Sequence, residues 1–219
     1  MPPEQPPRDA APDRLVHVAP ERLPVWLDGF ESRHGAVQAN GSPGEVDLVA
    51  ADGARATIVV PFPPLVGEDP VVDLVRHAAV ERRVGALLVR KGGHAVGVFT
   101  GRALVASKVG SSYVQGRTKA GGWSQRRFAR RRENQAGKAF EAAAEAAIAV
   151  LVPVVEELES VFLGGDRTAV DAVLSDPRLA PVRARARTTI WPVAEPRRRV
   201  LEAFPEQFLA VKIRLNHLA

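Results

Sequence analysis

From about Gln125 the sequence carries a helical pattern for some 25 residues, a rod of about 38 Å, with Phe140, Ala143, Ala144, Ala147 and Leu151 recurring on one stripe. Such a rod has to lay that stripe on a core, and the chain offers short apolar runs of strand length on both sides of it. Residues 85–90 and 94–100 flank the turn Lys91-Gly92-Gly93, residues 103–109 follow, and 161–163 and 188–193 come after the helix. Pro153 ends or kinks the long helix. Gly164-Gly165-Asp166 reads as a turn, with Asp166 as N-cap of a helix over 169–174, and a last helix is expected over 197–204. Strand and helix patterns alternate, which predicts an α/β or α+β chain with a mixed sheet flanked by helices.

The first half reads as a smaller unit. Residues 1–13 are Pro-rich without apolar periodicity and are expected to be a disordered tail. Residues 20–33 place Leu23, Trp26, Leu27 and Phe30 at helical spacing, and strands over 45–50 and 54–60 meet at Ala51-Asp52-Gly53, where Asp-Gly signals a hairpin. Pro61, Pro63 and Pro64 close that unit. A helix then follows Asp69-Pro70 with Val71, Leu74, Val75 and Ala78 on one face. The expected organisation is a small N-terminal α+β subdomain over 14–67 and a main domain over 68–215. A length of 219 residues with 46% hydrophobic content suits one ordinary core with a small appendage.

The net charge is +5, but residues 101–138 alone hold ten Lys and Arg against Glu133, about +9, leaving about −4 elsewhere. A polyanion would have a single docking surface on an otherwise acidic protein, and nucleic acid is the leading candidate. Cys is absent, which removes disulfides, thiolate metal sites and a cysteine nucleophile. No apolar run of about 18 residues exists and the N-terminus lacks the regions of a signal peptide, so a cytoplasmic protein without membrane contact is expected.

Two features carry chemistry. At 100° per residue Arg126, Arg127, Arg130 and Arg131 fall within an arc of about 140° on the first turns of the long helix, with Arg132 beside them. Guanidinium groups there oppose the helix dipole, a local cost that phosphate binding would offset; a merely solvated face is the plainer alternative. Just before them lies a stretch without apolar period, residues 110–124, with Arg117, Lys119 and the run Gly121-Gly122-Trp123-Ser124-Gln125. Adjacent glycines let backbone N–H groups approach a reacting centre, and the Gln125 amide can orient a water against an ester carbonyl. A flexible hinge is the alternative for the glycine pair.

Other constellations are weak. His17, His34, His77, His94 and His217 are scattered and read as packing or surface residues. Ser107, Ser111, Ser112 and Ser124 have no identifiable base. A two-metal site would need carboxylates such as Asp166 or Asp171 brought in from a distance, so neither metal nor cofactor is expected.

The run Gly121-Gly122-Trp123-Ser124-Gln125-Arg126-Arg127-Phe128-Ala129-Arg130 resembles the catalytic loop and helix of the middle domain of eukaryotic and archaeal class I peptide-chain release factors, in which GGQ precedes an RFAR segment. The order of elements over roughly 70–205 is similar too. Trp123 stands where that family has glutamine and Gln125 comes two places later, a displacement that looks like the Vms-type branch; the segment over 108–132 resembles its actinobacterial members. That resemblance implies hydrolysis of peptidyl-tRNA on stalled large ribosomal subunits in ribosome-associated quality control, without codon reading. It implies Gln125, Gly121, Gly122, Trp123 and Ser124 as the catalytic loop, and Arg117, Lys119 and Arg126, Arg127, Arg130, Arg131 and Arg132 as the nucleic-acid contacts. A ribosome- or tRNA-binding module without catalysis, and a nuclease of the tRNA acceptor end, are the alternatives left open.

Overall fold

The computed structural model describes residues 14–111 and 124–219, with side chains from 137 onward in the second stretch. In chain order the elements are β1 (Arg14–Val18), α1 (Leu23–His34), β2 (Val37–Gly41), β3 (Glu45–Ala50), β4 (Arg55–Val59), α2 (Pro70–Ala79), β5 (Arg83–Arg90), β6 (Gly93–Thr100) and β7 (Ala103–Ser111). The second half runs α3 (Ser124–Leu151), β8 (Ser160–Gly165), α4 (Arg167–Leu174), α5 (Ala180–Arg185), β9 (Ala186–Trp191), α6 (Arg198–Glu202), α7 (Pro205–Phe208) and β10 (Val211–Leu215). The expected tail over 1–13 lies outside the described residues.

The chain divides into two compact units, Met1–Val80 with Glu206–Ala219, and Glu81–Pro205. This corrects the expected boundary at 67/68 in two ways. First, α2 belongs to the first unit because its apolar face is spent there: Leu74 is fully buried among Leu23, Phe30, Leu48 and Ile58. Asp69 caps that helix, accepting from the N–H groups of Val71 and Val72 at 3.0 Å each, so Pro61–Pro64 interrupt the chain without ending the unit. Second, β10 returns to the first unit, where it lies between β1 and β4 in an antiparallel sheet of order β1-β10-β4-β3-β2. β10 alternates buried and more exposed positions, and Val211, Ile213 and Leu215 point into the core.

The second unit is built on a mixed sheet of order β7-β6-β5-β8-β9. β5 pairs antiparallel with β6, which pairs antiparallel with β7, whereas β8 lies parallel to β5 and β9 parallel to β8. The three inner strands, β6, β5 and β8, are buried almost throughout, as strands covered on two faces should be. One face packs on α3, α4 and α5: Leu87, Val89, Val96 and Val98 meet Ala143, Ala147, Leu151, Val170 and Val182. On the other, Leu201 of α6 lies within 3.3 Å of where a Cβ on Gly97 would be. The long helix comes equally close, with Leu151 Cδ2 at 3.0 Å from a Cβ built on Gly85, so glycine at this strand position and alanine along the helix bring the two layers together. α3 ends at Leu151, two residues before Pro153, which lies in a 3-10 segment, Val152–Glu157.

Asp166 does not cap α4 with its side chain. Its carboxylate turns back to the β5–β6 turn, 3.6 Å from Arg90 Nε and 3.4 Å from the Lys91 N–H, while its backbone carbonyl accepts from Ala169 and Val170.

Candidate functional site

Four strands of the second unit share one direction, since β5, β8 and β9 are parallel and β7 is brought parallel to β5 through two antiparallel pairings. Their carboxyl ends, Arg90, Ser111, Gly165 and Trp191, therefore gather at one edge of the sheet: Ser111 faces Gly93, Gly93 faces Arg90, and Gly165 faces Val89. In open sheets of this kind the connections leaving the carboxyl edge are where ligands are met. The chain leaves β7 at this edge into residues 112–123 and resumes as α3 at Ser124.

That edge is held tightly. Arg90 donates to the Val193 carbonyl at 3.0 Å and reaches Asp166. The Glu195 carboxylate rests on Gly92, and the carbonyl of Gly110 would lie 2.8 Å from a Cβ on Gly93. On the α3-facing side, beside Val89, His94 is 6% exposed, and its ring lies where a Cβ on Gly110 would be. Burial, and then the Lys108 ammonium, push the His94 pKa below its ordinary value, so the ring is neutral at pH 7. His94 was expected to be a packing or surface residue; it is buried packing at the root of the loop, and no spacing in the sequence pairs it with Gly110, because the contact is made across the β6–β7 ladder.

The predicted residues divide by position. Gly121, Gly122, Trp123, Arg117 and Lys119 lie outside the described residues. Ser124 and Gln125 are the first two residues of α3, with Arg126, Arg127, Arg130, Arg131 and Arg132 in its first three turns. The backbone of Gln125 thus belongs to the turn whose N–H groups have no intrahelical acceptor, and no acidic residue occupies that turn to complement the dipole. Farther along, α3 is anchored: Ala139, Ala143, Ala144, Ala146, Ala147 and Leu151 are buried, and Glu145 meets Arg178 at 2.7 Å. Lys138 is exposed and a Cβ on Gly137 would meet nothing within 4 Å. A rise of 1.5 Å per residue puts Gln125 about 20 Å along the helix from Ala139.

Among the remaining candidates, His34 bonds Asp52 at 2.8 Å and packs on Phe30, His77 contacts the Pro61 and Phe62 carbonyls, and His17 and His217 are exposed. Asp166 is engaged with Arg90 and Lys91, and Asp171 lines a separate cleft. Among the described residues no three His, Asp or Glu side chains gather as metal ligands, and no helix is long and apolar enough to cross a membrane.

A family model described as the Actinobacteria/chloroflexi VLRF1 release factor matches residues 82–214, well over half of the chain. The chain belongs to this release-factor family. The matched span takes in the whole carboxyl edge, the loop, α3 and β10. Over 99 residues, 44% of this chain, it is 31% identical to peptide chain release factor subunit 1 of Thermococcus sibiricus (strain DSM 12597 / MM 739), and it spans about a quarter, 23%, of that curated relative's length. Similar solved structures include the archaeal translation termination factor aRF1, at 16% identity, 91% of this chain, 68% of the other and a TM-score of 0.46. The Vms1 mitochondrial localization core is another, at 10% identity, 88% and 80% coverage and a TM-score of 0.47. The family description and the curated relative both carry the name of release factors.

Proposed function

We propose that this VLRF1-family protein hydrolyses the ester joining a nascent peptide to tRNA on stalled large ribosomal subunits, in the cytoplasm and without reading a codon. The observation that carries this reading is that Gln125 falls in the first turn of a long helix that opens directly behind Gly121-Gly122, within the matched family span. Water attacks the ester carbonyl, the carbonyl oxygen takes up negative charge, and collapse expels the 3′ oxygen of the tRNA, which leaves protonated, giving free peptide and intact tRNA. Gln125 orients the attacking water; backbone N–H groups about Gly122 and Trp123 stabilise the oxyanion, and Ser124 starts the helix that carries the glutamine. Arg117, Lys119 and the arginines at 126, 127, 130, 131 and 132 hold ribosomal or tRNA phosphates, so that binding energy far from the ester positions the loop. Neither cofactor nor metal enters the step.

Release of labelled peptide from stalled ribosome–nascent-chain complexes tests this, with free and shortened tRNA resolved on the same gel. Gln125→Ala is expected to lower the release rate about 10²–10³-fold while ribosome binding persists, the usual effect of losing one well-placed group. Release that is unchanged in the variant removes Gln125 from catalysis. No release by either protein favours a binding module, and a shortened tRNA favours acceptor-end cleavage.

A further inference from the structure

Away from the loop, the second unit has a cleft of about 410 Å³ between α4, α5 and the edge strand β9. Its lining is chemically sorted. Leu163, Leu174 and Ile190 are its large apolar lining residues, Ser175 and Thr188 add hydroxyl residues, and three arginines, Arg167, Arg183 and Arg187, come from three different elements alongside one acidic residue, Asp171.

Two observations show how the fold builds this arrangement. The β8–β9 ladder is irregular here: Val161 faces Ala186 and Leu163 faces Ile190, so β9 advances four residues where β8 advances two. The two extra residues fall between Ala186 and Ile190, where the consecutive residues Ala186, Arg187 and Thr188 all line the cleft. The arginines are also anchored. Arg187 Nε donates at 3.0 Å to Oγ of Ser160, itself buried, and one Arg183 nitrogen donates at 3.2 Å to the Leu174 carbonyl at the end of α4.

We propose that this cleft binds a single nucleotide of single-stranded RNA, distinct from the loop and its helix. The flanking phosphates meet Arg167, Arg183 and Arg187, the base lies on Leu163, Leu174 and Ile190, and Asp171 accepts from the ribose 2′-hydroxyl. The cavity lies in the size range of small-ligand sites, and one carboxylate among three arginines suits a ligand with one hydroxyl donor between phosphates better than it suits a polyacid. RNA binding here does not depend on ester hydrolysis.

The test is an amide-resolved NMR titration of the full-length ¹⁵N-labelled chain with the 5′-phosphorylated uridine trinucleotide, its deoxy counterpart and a hexaglutamate peptide. The expected result is saturable movement of the Ser175, Ala186 and Thr188 amides with the ribo-oligonucleotide, at least tenfold weaker in Arg167→Ala/Arg183→Ala, whose spectrum is otherwise native. Asp171→Asn is expected to narrow the preference for ribose over deoxyribose. Amides that stay still while those of the first turns of α3 move overturn the proposal, as does equal binding of the deoxy trinucleotide or tighter binding of the peptide. A chain that binds RNA here yet releases no peptide defeats the hydrolase reading alone; release without these shifts defeats the cleft alone.

Discussion

The two units carry opposite charge. Residues 81–205 hold 22 Lys and Arg against 12 Asp and Glu, while the other unit holds 8 against 13, giving about +10 and −5. Their architectures differ as well: a fully antiparallel sheet in the acidic unit, and in the basic unit a mixed sheet that gathers four strand ends at one edge. The acidic balance read across the rest of the sequence is therefore concentrated in the first unit, and outside 101–138 the second unit is close to neutral, at 12 basic against 11 acidic residues. A polyanion is attracted to a unit of net positive charge and repelled by one of net negative charge.

The largest effect that could break this comparison lies on α3. Reversing Arg126, Arg127, Arg130 and Arg131 to Glu should weaken ribosome binding more than a hundredfold and make the logarithmic salt dependence shallower by about 3, as expected for about four lost phosphate contacts. Substituting Arg22 and Lys212 of the acidic unit should change neither, and co-sedimentation with ribosomes across a salt series measures both. Next come the cores. Leu151→Ala in the basic unit and Ile58→Ala in the acidic one, both fully buried, should each cost about 2–5 kcal/mol. Hydrogen exchange should show protection falling mainly in the unit carrying the change; an equal fall in both would mean that the two unfold as one. A smaller effect, about 1 kcal/mol, is expected from Asp69→Ala, which removes the acceptor for two N–H groups of α2 and should be visible by chemical denaturation.

The smallest effect is in pH dependence. His94 has its pKa lowered in the folded state, so below the ordinary histidine pKa of about 6.5 the unfolded chain binds a proton that the folded chain resists. Stability of the basic unit should fall as pH drops through that value and toward the lowered folded pKa, and His94→Leu should flatten the fall. Denaturation of the two proteins between pH 7.5 and about 5 compares the slopes.

Much of the fold was legible where local pattern and local pairing coincide. The β3–β4 hairpin is legible from the turn at Asp52-Gly53, β5 and β6 from their apolar runs about Lys91-Gly92-Gly93, and the packed half of α3 from its period. What escaped depends on distant partners. β1 is five residues long and finds its neighbour about 200 positions away, while β2 is polar and mostly exposed, leaving no apolar signal. The unit boundary was misplaced because prolines at 61–64 look like an ending, whereas the destination of Leu74 is invisible without the sheet it covers. Gly121-Gly122 and the arginines that follow could be proposed as a site from sequence because they are contiguous. Arg167, Arg183 and Arg187 could not, since twenty residues and an irregular strand separate chemistry that the fold brings to one cleft.

The place of β10 in the first sheet sets an order on how this protein is made. Among the described residues β1 pairs with β10 alone, and β4 shows β10 the edge that β3 does not take. During synthesis, four strands of that sheet and the helices α1 and α2 emerge long before the strand that joins β1 to them, and the whole basic unit is completed in the interval. The acidic unit must therefore wait, with β1 unpaired and one side of β4 open, until β10 has been synthesised. A chain interrupted anywhere before residue 211 would leave that sheet unfinished, so each copy needs an uninterrupted round of translation to close its first unit.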